Sequence, residues 1–388
     1  MAAGRPNAKG TRLRPQVLLL FLAYAAKLSG GDRHLLEMAA RWRNDVDLAV
    51  AAPPRALDTV HDFLGDVEVH TIGSSPPIGA RLAIEYIRRS VTAFTRRLPA
   101  ADIAAASSHF SPDAAGLAAL VRRGALGVGY VYHLVADRGG RGPRTIWSRN
   151  DERLGLALLR RHADLVFVSN RETELALARR GLQPVRTDVG IDLAQFKRTN
   201  RRRVPHRGLF VGRMVPSKGV RDVVEAWAMV AAGLPDAELL LAGEGPERDG
   251  ALALAGELGI ASAVTPLGFV SEDKKRRLLQ ESSVLVAPSY EEGWGIAVCE
   301  ALASGTPVVG YRLPVLDELF PESYAGVPVG DSSALAEMTV RVLTDPSLAA
   351  SLAAKGRETA ARYDVERVAA AELDEILRRY SARRSERA

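Results

Sequence analysis

Short apolar runs alternate with helix-patterned stretches along nearly the whole 388-residue chain, and this alternation restricts the fold more than any other feature. Residues 17–23, 48–52, 67–72, 103–107, 128–133 and 165–169 read as strands. Most of them are largely apolar, as strands covered on both faces are. Helical patterns begin between most of them, near Gly31, Arg81, Pro112 and Arg149. Such alternation specifies a parallel sheet with helices on both sides. The pattern lapses at KRTNRRRVPHR (197–207), which is polar, basic and without apolar periodicity. It resumes with strands at 209–211, 239–242, 264–267, 284–287, 308–309 and 327–329.

The fold class is therefore α/β, with two successive doubly wound domains, for which the chain is long enough. Residues 1–14 read as a disordered leader, 15–196 as the first domain, 197–207 as a linker and 208–364 as the second domain. A last helix over 365–380 carries Val365, Val368, Ile376 and Tyr380 near one face and can cross back onto the first domain.

The single cysteine, Cys299, excludes a disulfide framework and fits a reducing, cytoplasmic setting. No apolar run approaches the roughly 20 residues of a spanning helix. The net charge of +6 admits anionic partners. Its arginines are scattered, however, without the aromatic interleaving of a single-strand binder, so nucleic acid is not an expected partner.

Chemistry concentrates in VLVAPSYEEGWGIAVCEALASGTPVV (284–309), which reads as strand, loop and helix. Its loop lies at the carboxyl end of a strand, where open α/β sheets bind ligands. Glu292 opens the Gly293-Trp294-Gly295 segment and Glu300 lies within the helix. Two helical turns separate the carboxylates by roughly 10 Å, against about 5–5.5 Å in a retaining glycosidase, so they suit two ends of one extended ligand. In GLFVGRMVPSKGV (208–220), Arg213 and Lys218 flank a turn before a helix, with Ser217 placed to cap it. Two cations beside free helix N–H groups suit a diphosphate, and a solvated turn is the plain alternative. Gly30 and Gly31 leave bare backbone between the first strand and its helix. No Walker loop, complete dinucleotide fingerprint, Asp-X-Asp metal pair or nucleophile elbow accompanies them. His133 and His109 end strands at the carboxyl edge of the first sheet, where a structural role is the commoner one for a lone histidine.

Together these segments resemble the family-four retaining glycosyltransferases of the GT-B fold, over nearly the whole chain after the leader. The most specific parts are PSYEEGWGIAVCEALASGTPVV, GRMVPSKG and LGFVSEDKKRRLLQESSVLVAPS, with DVGIDLAQF (188–196) and RYDVERV (362–368) in support. The resemblance implies two Rossmann-like domains facing a cleft, with the nucleotide sugar in the second domain and the acceptor in the first. Arg213 and Lys218 would hold the donor diphosphate. Glu292 and the backbone of Gly293, Trp294, Gly295 and Ile296 would hold the sugar, Glu300 the ribose, and Phe269 and Val270 the base. Gly30 and Gly31 would close on the phosphates and His133 would touch the transferring sugar. Trp294 stands where the family usually has Phe, which would reshape the sugar pocket. Asp188 replaces a more usual Asn, and Asp32 follows the glycine pair. No metal or other cofactor is implied.

The expected activity is retaining transfer from a nucleotide sugar, UDP-linked by preference, to a small hydroxylated acceptor. The opening LFLAYAAKLSGGDRHLLEMAARW is similar to enzymes that decorate aminocyclitol antibiotics. A GDP-mannose- or UDP-sugar-dependent transferase acting on a lipid or polysaccharide at a membrane is the alternative. Ile84, Ile87, Val91, Phe94 and Leu98 form one helical stripe flanked by Arg88, Arg89, Arg96 and Arg97. Such a helix can lie on anionic lipid, though packing of the stripe on the sheet is the favoured expectation. A non-catalytic sugar-nucleotide binder is the reading from another class, and the four residues Arg213, Lys218, Glu292 and Glu300 speak against it.

Overall fold

A computed structural model describes residues 14–24, 29–75, 80–95, 98–134, 143–196 and 202–387. Most of the expected leader, residues 197–201 of the linker, and Arg96 and Arg97 lie outside the described residues. The chain divides into two compact units, Met1–Gly190 with Val365–Ala388, and Ile191–Asp364.

The first unit holds a seven-stranded parallel sheet of β1 (Gln16–Leu20), β2 (Asp47–Ala52), β3 (Glu68–Thr71), β4 (Ile103–Ala106), β5 (Leu126–Val131), β6 (Leu165–Val168) and β7 (Val185–Arg186). Their order is β3-β2-β1-β4-β5-β6-β7, so the winding reverses between β1 and β4. The two-residue β7 escapes the sequence pattern because it has no apolar run of its own. In β1, Val17 and Leu19 enter one core layer and Leu18 and Leu20 the other, as the two-residue period of a strand dictates.

Helix Val365–Arg387 returns to this unit and packs on helix Gly30–Trp42. Trp42 Nε1 donates to the Ala369 carbonyl at 2.9 Å. Buried Glu372 lies 2.9 Å from His34 Nε2 and accepts from Tyr130 Oη at 2.7 Å and Thr187 Oγ1 at 2.6 Å. A carboxylate buried this deeply is tolerable because several donors share it. The crossing helix runs to Arg387, beyond the expected end at 380.

The second unit holds β8 (Arg207–Val211), β9 (Glu238–Ala242), β10 (Val264–Gly268), β11 (Val284–Ala287), β12 (Val308–Tyr311) and β13 (Ala325–Val327), all parallel. The order β10-β9-β8-β11-β12-β13 places the reversal between β8 and β11. Both sheets are Rossmann-like. Residues 191–196, expected to close the first domain, belong instead to the second. Ile191 forms a bridge with Asp364 and its N–H donates to the Tyr363 carbonyl. Helix Leu193–Phe196 packs on helices Glu272–Glu281 and Ile296–Ala303.

Helix Ala80–Thr95 overturns one expectation. Ile84, Ile87, Val91 and Phe94 do not pack on the sheet but face solvent, 43–66% exposed. Leu98, just beyond it, is buried. The inward face holds Leu82, Tyr86 and Ala93 together with Glu85 and a fully buried Arg89. Arg89 donates to the carbonyls of Leu22 and Tyr24, after β1, and of Ser74, after β3. Its guanidinium thus ties the polar side of the helix to two loops, and the apolar stripe lies on the opposite side.

Candidate functional site

The second unit's winding reverses between β8 and β11, and the loops after these strands meet there. After β8 the chain makes a single 3-10 turn, Pro216–Lys218, and Gly219 adopts φ 64° before helix Val220–Gly233. A side chain at Gly219 would strike the Pro288 carbonyl of the β11 loop, so only glycine permits this approach. Tyr290 N–H donates to the Ser217 carbonyl at 2.9 Å. Ser217 therefore joins the loops through its backbone; it does not cap the helix, whose N-cap is Gly219 with no side-chain bond.

This meeting brings Lys218 onto Glu292, with Nζ 2.6 Å from Oε1. Ser289 Oγ donates to the same oxygen at 2.8 Å, and Lys218 Nζ also reaches the Glu291 carbonyl at 3.4 Å. Residues 74 apart in sequence thus form one half-buried polar centre. The loop is anchored from behind by Asp222, whose Oδ2 accepts from Tyr290 Oη at 2.6 Å and from Tyr311 Oη at 2.5 Å. That bond to Asp222 raises the Tyr290 phenol above its ordinary range. Neither Asp222 nor its two tyrosines stands out in the sequence, because the three belong to separate elements.

Arg213 is exposed, and among the described residues its side chain has no ion pair or hydrogen bond. Beside it, Gly243 and Gly245 carry positive φ, and side chains there would strike the carbonyls of Gly212 and Met214. This turn, GEGPER (243–248), has Arg248 where a dinucleotide fingerprint has its third glycine. Its glycines serve close backbone packing on the β8 loop instead. Phe269 and Val270 follow β10 at the same sheet edge, with Phe269 75% exposed.

Glu300 is buried on helix Ile296–Ala303 and pairs with Lys275 Nζ at 2.8 Å. Lys275 also lies 2.9 Å from Glu272. The two candidate carboxylates therefore belong to separate ion pairs rather than to an acid–base couple. Trp294 corrects another expectation. Its ring is buried, edge-on to Phe320 at 5.4 Å and Tyr363 at 4.8 Å, so it cannot line a sugar pocket. The backbone of Gly293, Gly295 and Ile296 at the helix start is what this loop offers a ligand. Gly295, at φ 99°, opens a helix whose first N–H groups carry no side-chain cap.

In the first unit, Gly30 and Gly31 begin helix Gly30–Trp42 after a Ser29–Asp32 capping box. A Cβ on Gly31 would fall 2.6 Å from the Tyr132 ring, and exposed His133 follows Tyr132 at the end of β5. These three candidates therefore share one sheet edge. His109 does not join them. It is buried, stacked on Phe110 at 4.6 Å and 3.2 Å from Glu152, so its role is packing.

Two buried carboxyls lie at this reversal point. Asp113 accepts from the N–H groups of Leu22 and Ala23 and from Ser108 Oγ, and Ser107 Oγ reaches both Asp113 and Asp32. Burial pushes the Asp113 carboxyl up to about 7 despite these donors. A folded chain that holds a proton the unfolded chain has lost becomes less stable as pH rises from about 4 to about 7. Asp113→Asn keeps an oxygen for the two N–H groups and should remove that slope. Thermal unfolding of both proteins at pH 5 and pH 8 tests this. Relative to wild type, the variant should gain on the order of 3 kcal/mol at most over that interval, and an unchanged difference would refute the assignment.

The second unit's centre combines a lysine, an unpaired arginine and free helix N–H groups with two fixed carboxylates. It can bind an anion at one side and hydroxyl groups at the other. Residues 194–359 match the family model "Glycosyl transferases group 1". Over 144 residues the chain is 33% identical to N-acetyl-alpha-D-glucosaminyl L-malate synthase of Bacillus anthracis, covering 37% of each chain. Over 163 residues it is 34% identical to phosphatidyl-myo-inositol mannosyltransferase of Mycolicibacterium smegmatis, covering 40% of this chain and 41% of that one. The chain thus matches about two fifths of the length of these curated relatives. The crystal structure of Anabaena Alr3699/HepE in complex with UDP and glucose is similar in fold, with a TM-score of 0.76 at 18% identity over 94% of this chain and 99% of that one. The fold is GT-B, and the segment that matches the group 1 model lies in the second unit.

Proposed function

We propose that this protein is a retaining glycosyltransferase that moves a sugar from a UDP-sugar to a hydroxyl of a small acceptor, an aminocyclitol being one such acceptor. The observation that carries the reading is the meeting of Lys218 and Glu292 at the β8/β11 reversal, beside exposed Arg213. Arg213 and Lys218 face the donor diphosphate, Glu292 and the backbone of residues 293–296 the sugar, Glu300 the ribose, and Phe269 and Val270 the base. Gly30, Gly31 and His133 take the parts that the family resemblance implies. The relatives' printed names, a glucosaminyl malate synthase and a mannosyltransferase, and the UDP in the fold neighbour support a nucleotide-sugar donor.

In the proposed reaction the bond from the anomeric carbon to the diphosphate oxygen breaks, leaving an oxocarbenium-like ion. The acceptor hydroxyl attacks the same face, its oxygen bonds to the anomeric carbon, and its proton passes to the departing diphosphate. Arg213 and Lys218 stabilise the charge that grows on that leaving group. No metal is required, because these cations perform the neutralisation.

Thermal shift against UDP-, GDP- and dTDP-sugars tests the donor. At about 100 times Kd a ligand of the folded state stabilises by about 2.7 kcal/mol. A shift with UDP-sugars accompanied by slow donor hydrolysis is expected. A shift with no hydrolysis or transfer would favour a binder, and no shift with any donor would overturn the proposal. A lipid acceptor is the second reading, favoured by the exposed stripe Ile84, Ile87, Val91 and Phe94.

A further inference from the structure

We infer that the outward face of helix Ala80–Thr95 docks on an anionic lipid surface. The inference stands apart from the donor chemistry, since none of its residues belongs to the second unit. The helix is inverted relative to an ordinary surface helix: its only acid, Glu85, and the fully buried Arg89 face inward, while Ile84, Ile87, Val91 and Phe94 face out. A contiguous apolar face this exposed marks an interaction surface.

The charge on that face selects the partner. Arg81 and Arg88 are its exposed charged side chains, Arg88 being 68% exposed, and the acid beside them, Glu85, is buried, 3.8 Å from Arg88 and 3.6 Å from Arg89. A second copy of the chain meeting this face through a two-fold axis would place these arginines against the same arginine-bearing patch, with no exposed acid of this helix to receive them. A bilayer containing anionic lipid takes both features at once. The four apolar side chains enter the headgroup boundary while the arginines, on long stems, reach lipid phosphates. Among the described residues no helix is long and apolar enough to cross a membrane, so the mode is interfacial. At about 1.5 Å per residue the helix offers a contact line of about 24 Å.

Co-sedimentation of the full chain with vesicles of phosphatidylcholine alone, and of phosphatidylcholine mixed with phosphatidylglycerol, tests the inference. The protein should pellet with the mixed vesicles and not with the neutral ones. Arg88→Gln should weaken binding about fivefold, and the pair Ile87→Glu with Val91→Glu should weaken it by more than tenfold. These positions are exposed, so the melting temperature and the thermal shift with UDP should stay as in the wild type. That control separates a failed surface from a failed donor site. Absence of binding to the anionic vesicles, or binding that survives both sets of substitutions, overturns the inference. So does a dimer in sedimentation equilibrium that the Ile87/Val91 pair dissolves while vesicle binding is absent.

Discussion

Under the proposed function, Lys218→Ala should lower the rate of sugar transfer by roughly 10²–10³-fold at saturating donor, with the fold intact. Lys218 sits on a 3-10 turn that Gly219 and the Pro288 carbonyl lock against the β11 loop, so its ammonium has a fixed position. In the resting chain Glu292 and the Glu291 carbonyl hold it. A departing diphosphate gains negative charge as the glycosidic bond lengthens. A cation already oriented toward it stabilises the transition state more than the ground state. The stability cost is small by comparison. The pair is about one fifth exposed on each side, and removing such a partly solvated ion pair costs about 1 kcal/mol or less. Steady-state kinetics with excess donor, read beside thermal unfolding, distinguishes the two effects. A kcat within tenfold of wild type would remove Lys218 from the reaction. Glu292→Gln provides the companion measurement: the amide can still accept from Ser289 but no longer offsets the lysine, so donor affinity and kcat should separate.

The regular part of the fold was legible because parallel strands buried on both faces leave uninterrupted apolar runs. The inner strands have such runs, whereas β3, β7 and β10, at or near the sheet edges, are partly polar and partly exposed. Candidate residues come together where glycine, cation and carboxylate types coincide with a strand's carboxyl end, as at Lys218 and Glu292. The misses share one physical origin, which is that burial belongs to tertiary packing. His109 and Trp294 sit in loops that sequence places near a site, yet neighbouring elements, through Glu152 and through Phe320 and Tyr363, draw both rings into the interior. The stripe on helix Ala80–Thr95 has an inward-facing pattern, but Arg89, bonded to the carbonyls of Leu22, Tyr24 and Ser74, lies on the inward side and the stripe on the opposite one. Lys275 was invisible because its partner lies 25 residues away and a KKRR run reads as a solvated face.

Lys275→Met should destabilise the second unit by about 3–5 kcal/mol, because Glu300 would remain as a buried charge without its cation. Glu300 is 1% exposed and its carboxylate is held by Lys275 Nζ at 2.8 Å. Burying an ion pair costs desolvation on both sides, and the pair together contributes far less than either half costs when left alone. The double change Lys275→Met with Glu300→Gln should therefore recover most of the loss, a coupling that a double-mutant cycle measures directly. For a unit of this size each kcal/mol moves the midpoint by about 2–4 °C, so the single variant should melt on the order of 10 °C lower. The double variant should fold yet lose donor affinity, since under the proposed function the ionised Glu300 accepts the ribose hydroxyls. Methionine retains the length and apolar stem of lysine, so a cavity does not account for the loss. A single variant that unfolds at the wild-type temperature would show that the Glu300 carboxylate needs no cation, and the assignment of Lys275 as its positioning partner would fall.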